Sequence, residues 1–193
     1  MHDARAAIVH WYQLLETERA HCTYTEGPQR MESVLRRGVV PFVGDCSATV
    51  RAMYAWANAP DPMGLGYGVP EGYTGTELSH GQHIALLRKN GVGATINEVR
   101  PGDVVVYGPG TGWHTAIAVH VDGLGNVLTL SMGQQGDPSY VWANGPNSPH
   151  DGRQPQTWLR FDTMTRKVVT PQSFFRVPPK TPLSAIRHLI ERS

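Results

Sequence analysis

Cysteine is scarce in this sequence, with two in 193 residues, Cys22 and Cys46. A single bridge cannot staple a chain of this length, which excludes a disulfide scaffold and makes reduced thiols the expectation. Neither an HExxH motif nor a pair of CxxC motifs is present, so no metal is expected, and no other cofactor is implied. An excess of charge of one sign is also missing. The 17 basic and 16 acidic residues leave +1, which argues against nucleic acid or an anionic membrane as partner. No apolar run approaches the roughly 20 residues that cross a bilayer, and Met1 to Ala20 lack the apolar core of a signal peptide. Synthesis as a soluble cytoplasmic chain is therefore the expectation. No internal repeat is visible.

The 40% hydrophobic and 17% charged content fits a globular domain with a core of its own. Ala7, Ile8, Trp11, Leu14 and Leu15 recur near a 3.6-residue period and predict a helix over Ala4 to Ala20, followed by a turn-rich loop to Gly27. A second helix is predicted to open at Asp45-Cys46-Ser47, with Val50, Met53, Tyr54 and Ala57 as its buried stripe, and to end before Pro60. After a Gly/Pro-rich loop over 61–75, Thr76 to Asn90 reads as a third helix stopped by Gly91. Val104 to Tyr107, His114 to Val121 and Val127 to Met132 are rich in β-formers, and Gly-rich turns separate them, as in an antiparallel meander. Thr157 to Phe161 and Lys167 to Val177 read as edge strands. The fold class expected is α+β, with helices packed on a central antiparallel sheet. Residues 1–177 are expected to form one domain, and 178–193 a proline-rich linker and a C-terminal helix.

The chemistry centres on Cys46. A cysteine in the first turn of a helix meets free N–H groups and the positive end of the helix dipole, which stabilise a thiolate and later an oxyanion. Strand alternation puts His114, Ala116, Ala118 and His120 on one face, and the two alanines are expected to let the cysteine helix approach His114. An imidazole there serves as general acid and base to the thiol. Trp113, next to it, is expected either to wall the cleft or to pack in the core. His80 and His83 are expected on a helix surface rather than around zinc. Cys22, without a helix-start context, is expected to be a bystander.

Asp45-Cys46-Ser47, Arg100-Pro101-Gly102-Asp103 running into Val104 to Tyr107, and His114 to Val119 together resemble the NlpC/P60 family of cell-wall cysteine peptidases. Tyr24-Thr25-Glu26-Gly27, Ala59-Pro60-Asp61-Pro62, Gly64 to Tyr67 and Gly72 to Thr76 make the chain most similar to peptidase domains of bacteriophage lysins (endolysins). The resemblance implies a papain-like fold and hydrolysis of an amide in peptidoglycan stems or cross-links. It also implies substrate contacts by Tyr24, Asp45 and Ser47, and action on the bacterial wall with or without a separate wall-binding module or virion. In that family a polar residue on the next strand orients the catalytic histidine. Here the segment reads Leu130-Ser131-Met132-Gly133-Gln134-Gln135. Met132 stands where lysin relatives carry histidine, and a thioether is a poor acceptor for an imidazole N–H. Gln134 is the expected substitute, with Ser131 next. Three other functions remain open: an N-acetylmuramoyl-L-alanine amidase using the same pair, a thiol acyltransferase, and a non-catalytic wall-binding or virion structural protein.

Overall fold

The computed structural model describes residues 4–67, 78–108, 114–133, 138–143 and 156–161. Among them, four α-helices run over Ala4–Thr17 (α1), Glu32–Leu35 (α2), Cys46–Trp56 (α3) and His80–Asn90 (α4). Eight strands run over Cys22–Tyr24 (β1), Phe42–Gly44 (β2), Val92–Ala94 (β3), Val104–Tyr107 (β4), His114–Val121 (β5), Val127–Met132 (β6), Pro138–Trp142 (β7) and Gln156–Arg160 (β8). β1 and β2 pair in parallel. The other six form an antiparallel sheet in the order β3-β8-β4-β5-β6-β7.

The predicted meander is present, with β4, β5 and β6 spanning the three β-rich runs residue for residue. The fold is α+β, as expected. β8, expected at an edge, is internal. Its β4 side is hydrogen-bonded, and the three residues of β3 cover the other side. The second expected edge strand and the C-terminal helix lie outside the described residues.

Each face of the sheet carries its own apolar layer. Val104, Val106, Ile117, Val119, Leu130 and Met132 share one cluster with Ile8, Tyr12 and Leu15 of α1 and with Ala48, Val50, Ala52 and Met53 of α3. Val105, Tyr107, Ala116, Ala118, Val127 and Trp158 make up the second cluster. The expectation that Ala116 and Ala118 face the cysteine helix is therefore reversed. The helix layer sits on the branched Ile/Val face, where more apolar area is available to bury. Close approach comes from Ala48 and Ala52 on α3 itself, both fully buried. On the far face, the alanines leave room for the bulk of Trp158 and Tyr107.

Three polar ties fix the helices around this core. Asp103, in the turn before β4, accepts from Arg5 of α1 at 2.8 Å, from Arg160 of β8 at 3.1 Å and from the Arg100 N–H at 2.9 Å. Gly102 in the same turn has φ +90, and an added Cβ there would meet Arg5 within 3.2 Å, so only glycine fits. Its carbonyl accepts from the Tyr54 hydroxyl of α3 at 2.7 Å. Arg51 of α3 pairs with Asp61 at 2.7 Å and donates to the Gly66 carbonyl at 3.0 Å, fastening the loop after α3 to the helix that precedes it.

Candidate active site around Cys46

Asp45 caps α3. Its backbone is extended, and its Oδ1 accepts from the Ala48 N–H at 2.7 Å and from the Ser47 hydroxyl at 2.8 Å. That geometry makes Cys46 the first helical residue, with its side chain at the positive end of the helix. Cys46 is 1% exposed. Burial pushes its pKa up, and the Asp45 carboxylate adds to this, while backbone groups of Thr115 and Ser47 at the sulfur pull the other way. The Thr115 contact brings the sulfur to the start of β5, where His114 begins the strand. His114 is half-buried, and its ring is stacked on Tyr107 at 5.8 Å between centroids and 18° between planes.

A second histidine stands at the sulfur. The Nδ1 and Nε2 atoms of His80 each lie 3.9 Å from Cys46 Sγ, and Nδ1 lies 3.5 Å from Asp45 Oδ2. His83, one turn further along α4, has its Nδ1 3.1 Å from Ser47 Oγ. The two histidines of α4 thus clasp the first turn of α3, and the expectation of surface positions is corrected. His83 is 2% exposed, and the side chain of His80 is 16% exposed. Burial of the His83 ring on α3 and the attraction of His80 to the Asp45 carboxylate turn that face of α4 inward.

Their electrostatics diverge. The Asp45 carboxylate facing Nδ1 raises the pKa of His80 against the opposing effect of burial. Burial, with nearby Arg30 next, lowers that of His83 to about 4. Asp45 itself is pushed up by burial, yet His80, the Ala48 N–H, the Ser47 hydroxyl and Arg30 together hold its carboxyl below the usual range. Arg30, itself buried, lies 3.4 Å from Asp45 Oδ2, donates to the Glu26 carbonyl at 2.7 Å and also bonds the Leu78 carbonyl. Asp45 Oδ2 makes no hydrogen bond of ordinary geometry; the Arg30 guanidinium at 3.4 Å and His80 Nδ1 at 3.5 Å face it.

Among the other residues predicted for the site, Ser47 is buried inside the Asp45–His83 network, and the Tyr24 hydroxyl donates to Glu26 at 2.9 Å. Met132 is fully buried in the helix-side core. Ser131 is buried as well, whereas Gln134 and Trp113 lie outside the described residues. Cys22 lies in β1, and its thiol is directed at the Glu18 and Leu15 carbonyls at 3.6 and 3.7 Å. The sequence pattern placed His80 on a helix surface, and it did not mark Arg30 as part of the site. The signal for His80 was the Ser79–Gln82 capping box, which makes His80 the first residue of α4 as Asp45 does Cys46 of α3. Among the described residues no group of three or more His, Cys, Asp or Glu is arranged to hold a metal.

The class defined so far is an α+β domain with a buried, helix-capped thiol that meets a helix histidine and the backbone of Thr115, next to the histidine that opens β5. No family model matches the chain, and no curated protein is significantly similar to it. Solved structures of NlpC/P60 domains from peptidoglycan hydrolases are its structural neighbours. The NlpC/p60 domain of the peptidoglycan hydrolase SagA is 16% identical, with TM-score 0.43, over 79% of this chain and 96% of that one. The peptidoglycan hydrolase RipB of Mycobacterium tuberculosis is 20% identical, with TM-score 0.41, over 81% and 66%. RipD of the same organism, described as a non-catalytic NlpC/p60 protein adapted to peptidoglycan binding, is 16% identical, with TM-score 0.43, over 83% and 98%.

Proposed function

We propose that the protein is a peptidoglycan hydrolase that cleaves an amide of the peptide stem or cross-link with Cys46 as nucleophile and His114 as general acid and base. The observation that carries this reading is the Cys46 thiol in the first turn of an Asp-capped helix, meeting the start of the strand that His114 opens. Attack of the thiolate on the amide carbonyl forms the S–C bond, and the first-turn N–H groups of α3 stabilise the oxyanion. His114, protonated, gives its proton to the leaving amine as the C–N bond breaks, then takes one from the water that hydrolyses the thioester. The cell-wall substrate and the assignment to a phage lysin, made in a host cytoplasm and acting on the wall, rest on the sequence motifs quoted above. Substrate contacts by Tyr24, Asp45, Ser47 and Trp113, and orientation of His114 by Gln134, belong to the same reading.

Burial of the sulfur supports a second reading, a wall-peptide binder without turnover, because a desolvated thiol stays protonated unless a cation faces it. Mass spectrometry of purified peptidoglycan incubated with the wild type and with Cys46→Ala separates the two. The hydrolase releases fragments with new peptide termini that the variant does not. Cleavage at the sugar–peptide junction instead gives free stems and marks an amidase. Retention on the wall by both proteins, with no release by either, favours the binder.

A further inference from the structure

Resting on the thiol-nucleophile reading, we propose that His80 is a second catalytic histidine, the resting cation that keeps Cys46 as thiolate, with Asp45 holding its ring. Both His80 ring nitrogens lie 3.9 Å from Sγ, and Nδ1 lies 3.5 Å from Asp45 Oδ2, so a doubly protonated ring has the carboxylate at Nδ1 and the sulfur equally close to both nitrogens. The placement is built from three directions. Ser79 accepts from the Gln82 N–H at 3.3 Å, and Gln82 Oε1 accepts from the Ser79 N–H at 2.7 Å, fixing the residue before the ring. The Arg30 guanidinium bonds the carbonyl of Leu78, two residues before it. One turn beyond, His83 is locked to Ser47 at 3.1 Å.

A sulfur this desolvated needs a cation beside it to ionise, and His80 supplies one. His83 stays neutral, its pKa lowered to about 4 by burial, so the two α4 histidines divide into a charged partner and a neutral brace. Among the described residues, the groups acting electrostatically on the pair include Asp45, Arg30, Glu26, Tyr12, Tyr24 and His83. His114 opens β5, and the backbone of the next residue, Thr115, meets the sulfur. In the resting step the S–H bond breaks, the proton passes to the unprotonated ring nitrogen of His80 and the electron pair stays on sulfur, so the net charge of the pair is unchanged. His80 keeps that proton through the cycle, while His114 gives one to the amine and recovers one from water.

The test follows carbamidomethylation of Cys46 by iodoacetamide against pH, read on the peptide spanning residues 38–51, in the wild type and in His80→Gln. An imidazolium this close moves the thiol titration by about one to three pH units, so the His80→Gln midpoint rises by that amount and its rate at pH 7 falls at least about tenfold. Coupling is reciprocal. In a protein that carries both native side chains, NMR therefore finds the His80 ring titrating higher than in Cys46→Ala by a matching shift. The second measurement stands even if His80→Gln fails to fold. An unmoved thiol midpoint, or a His80 ring indifferent to Cys46→Ala, overturns the proposal. If peptidoglycan release still depends on Cys46, the hydrolase reading survives that result. Release that persists in Cys46→Ala overturns both.

Discussion

Replacing His83 by glutamine probes the clasp between α4 and α3 through its dependence on pH. The buried ring has its Nδ1 3.1 Å from Ser47 Oγ, and burial, aided by Arg30, lowers its pKa from 6.5 to about 4. The folded protein keeps the ring neutral where the unfolded chain has already taken up a proton. Its contribution to stability is therefore complete above pH 6.5 and is lost as pH falls from there toward 4. At about 1.36 kcal/mol per pKa unit, that window is worth on the order of 3 kcal/mol. His80 works in the opposite sense. Its raised pKa means that its contribution is present in full below the unfolded value and is lost as pH rises through the folded one. Asp45, held low, stabilises above the unfolded carboxylate value and loses that contribution only as pH falls further, below the His83 window. Urea unfolding between pH 7.5 and 4.5 reads the difference. The expected result is a wild type that loses about 2–3 kcal/mol more across this range than His83→Gln, so that the two stabilities converge in acid. Parallel curves would refute the reasoning, because they mean that the ring is no less protonated folded than unfolded.

Asp45→Ala removes the α3 cap and a partner of buried Arg30, and is expected to cost about 2–4 kcal/mol at pH 7. Asp45→Asn, which keeps an acceptor for the Ala48 N–H, is expected to cost roughly half as much, and equal losses in denaturant titrations would contradict the capping role. Asp103→Ala strips a shared acceptor from Arg5, Arg160 and the Arg100 N–H, and is expected to cost about 2–4 kcal/mol. At about 2–4 °C per kcal/mol for a domain of this size, the fall in Tm is directly visible by calorimetry, and a change under about 2 °C would contradict the tie.

Local pattern decided what the sequence made legible. β4, β5 and β6 are β-branched runs bounded by glycine turns, so they were readable to the residue, and Asp45 announced the start of α3. The expected stripe of α1 is rotated slightly, with Ile8, Tyr12 and Leu15 buried and Trp11 only partly so, because the helix settles against both α3 and the sheet. β3 is a short Val-Gly-Ala with two exposed residues, and β7 starts on a proline, so each is a strand only by virtue of the neighbour it pairs with. The face of β5 was misjudged because alternation says which residues share a side but not which layer covers it. His80 was lost for a related reason. Histidines three apart on a helix look solvated until Arg30, 48 residues before Leu78, anchors the start of that helix beside the thiol.

Trapping the acyl-enzyme shows whether Cys46 forms the bond to the substrate. Wild-type protein is mixed with soluble peptidoglycan fragments, quenched in acid within the first turnovers and digested, and the peptide spanning residues 38–51 is weighed. The predicted result is a thioester adduct on Cys46 whose mass equals the acyl half of the cleaved stem, absent from Cys46→Ala, which also releases no product. Product release with no adduct on Cys46, undiminished in Cys46→Ala, would contradict the account.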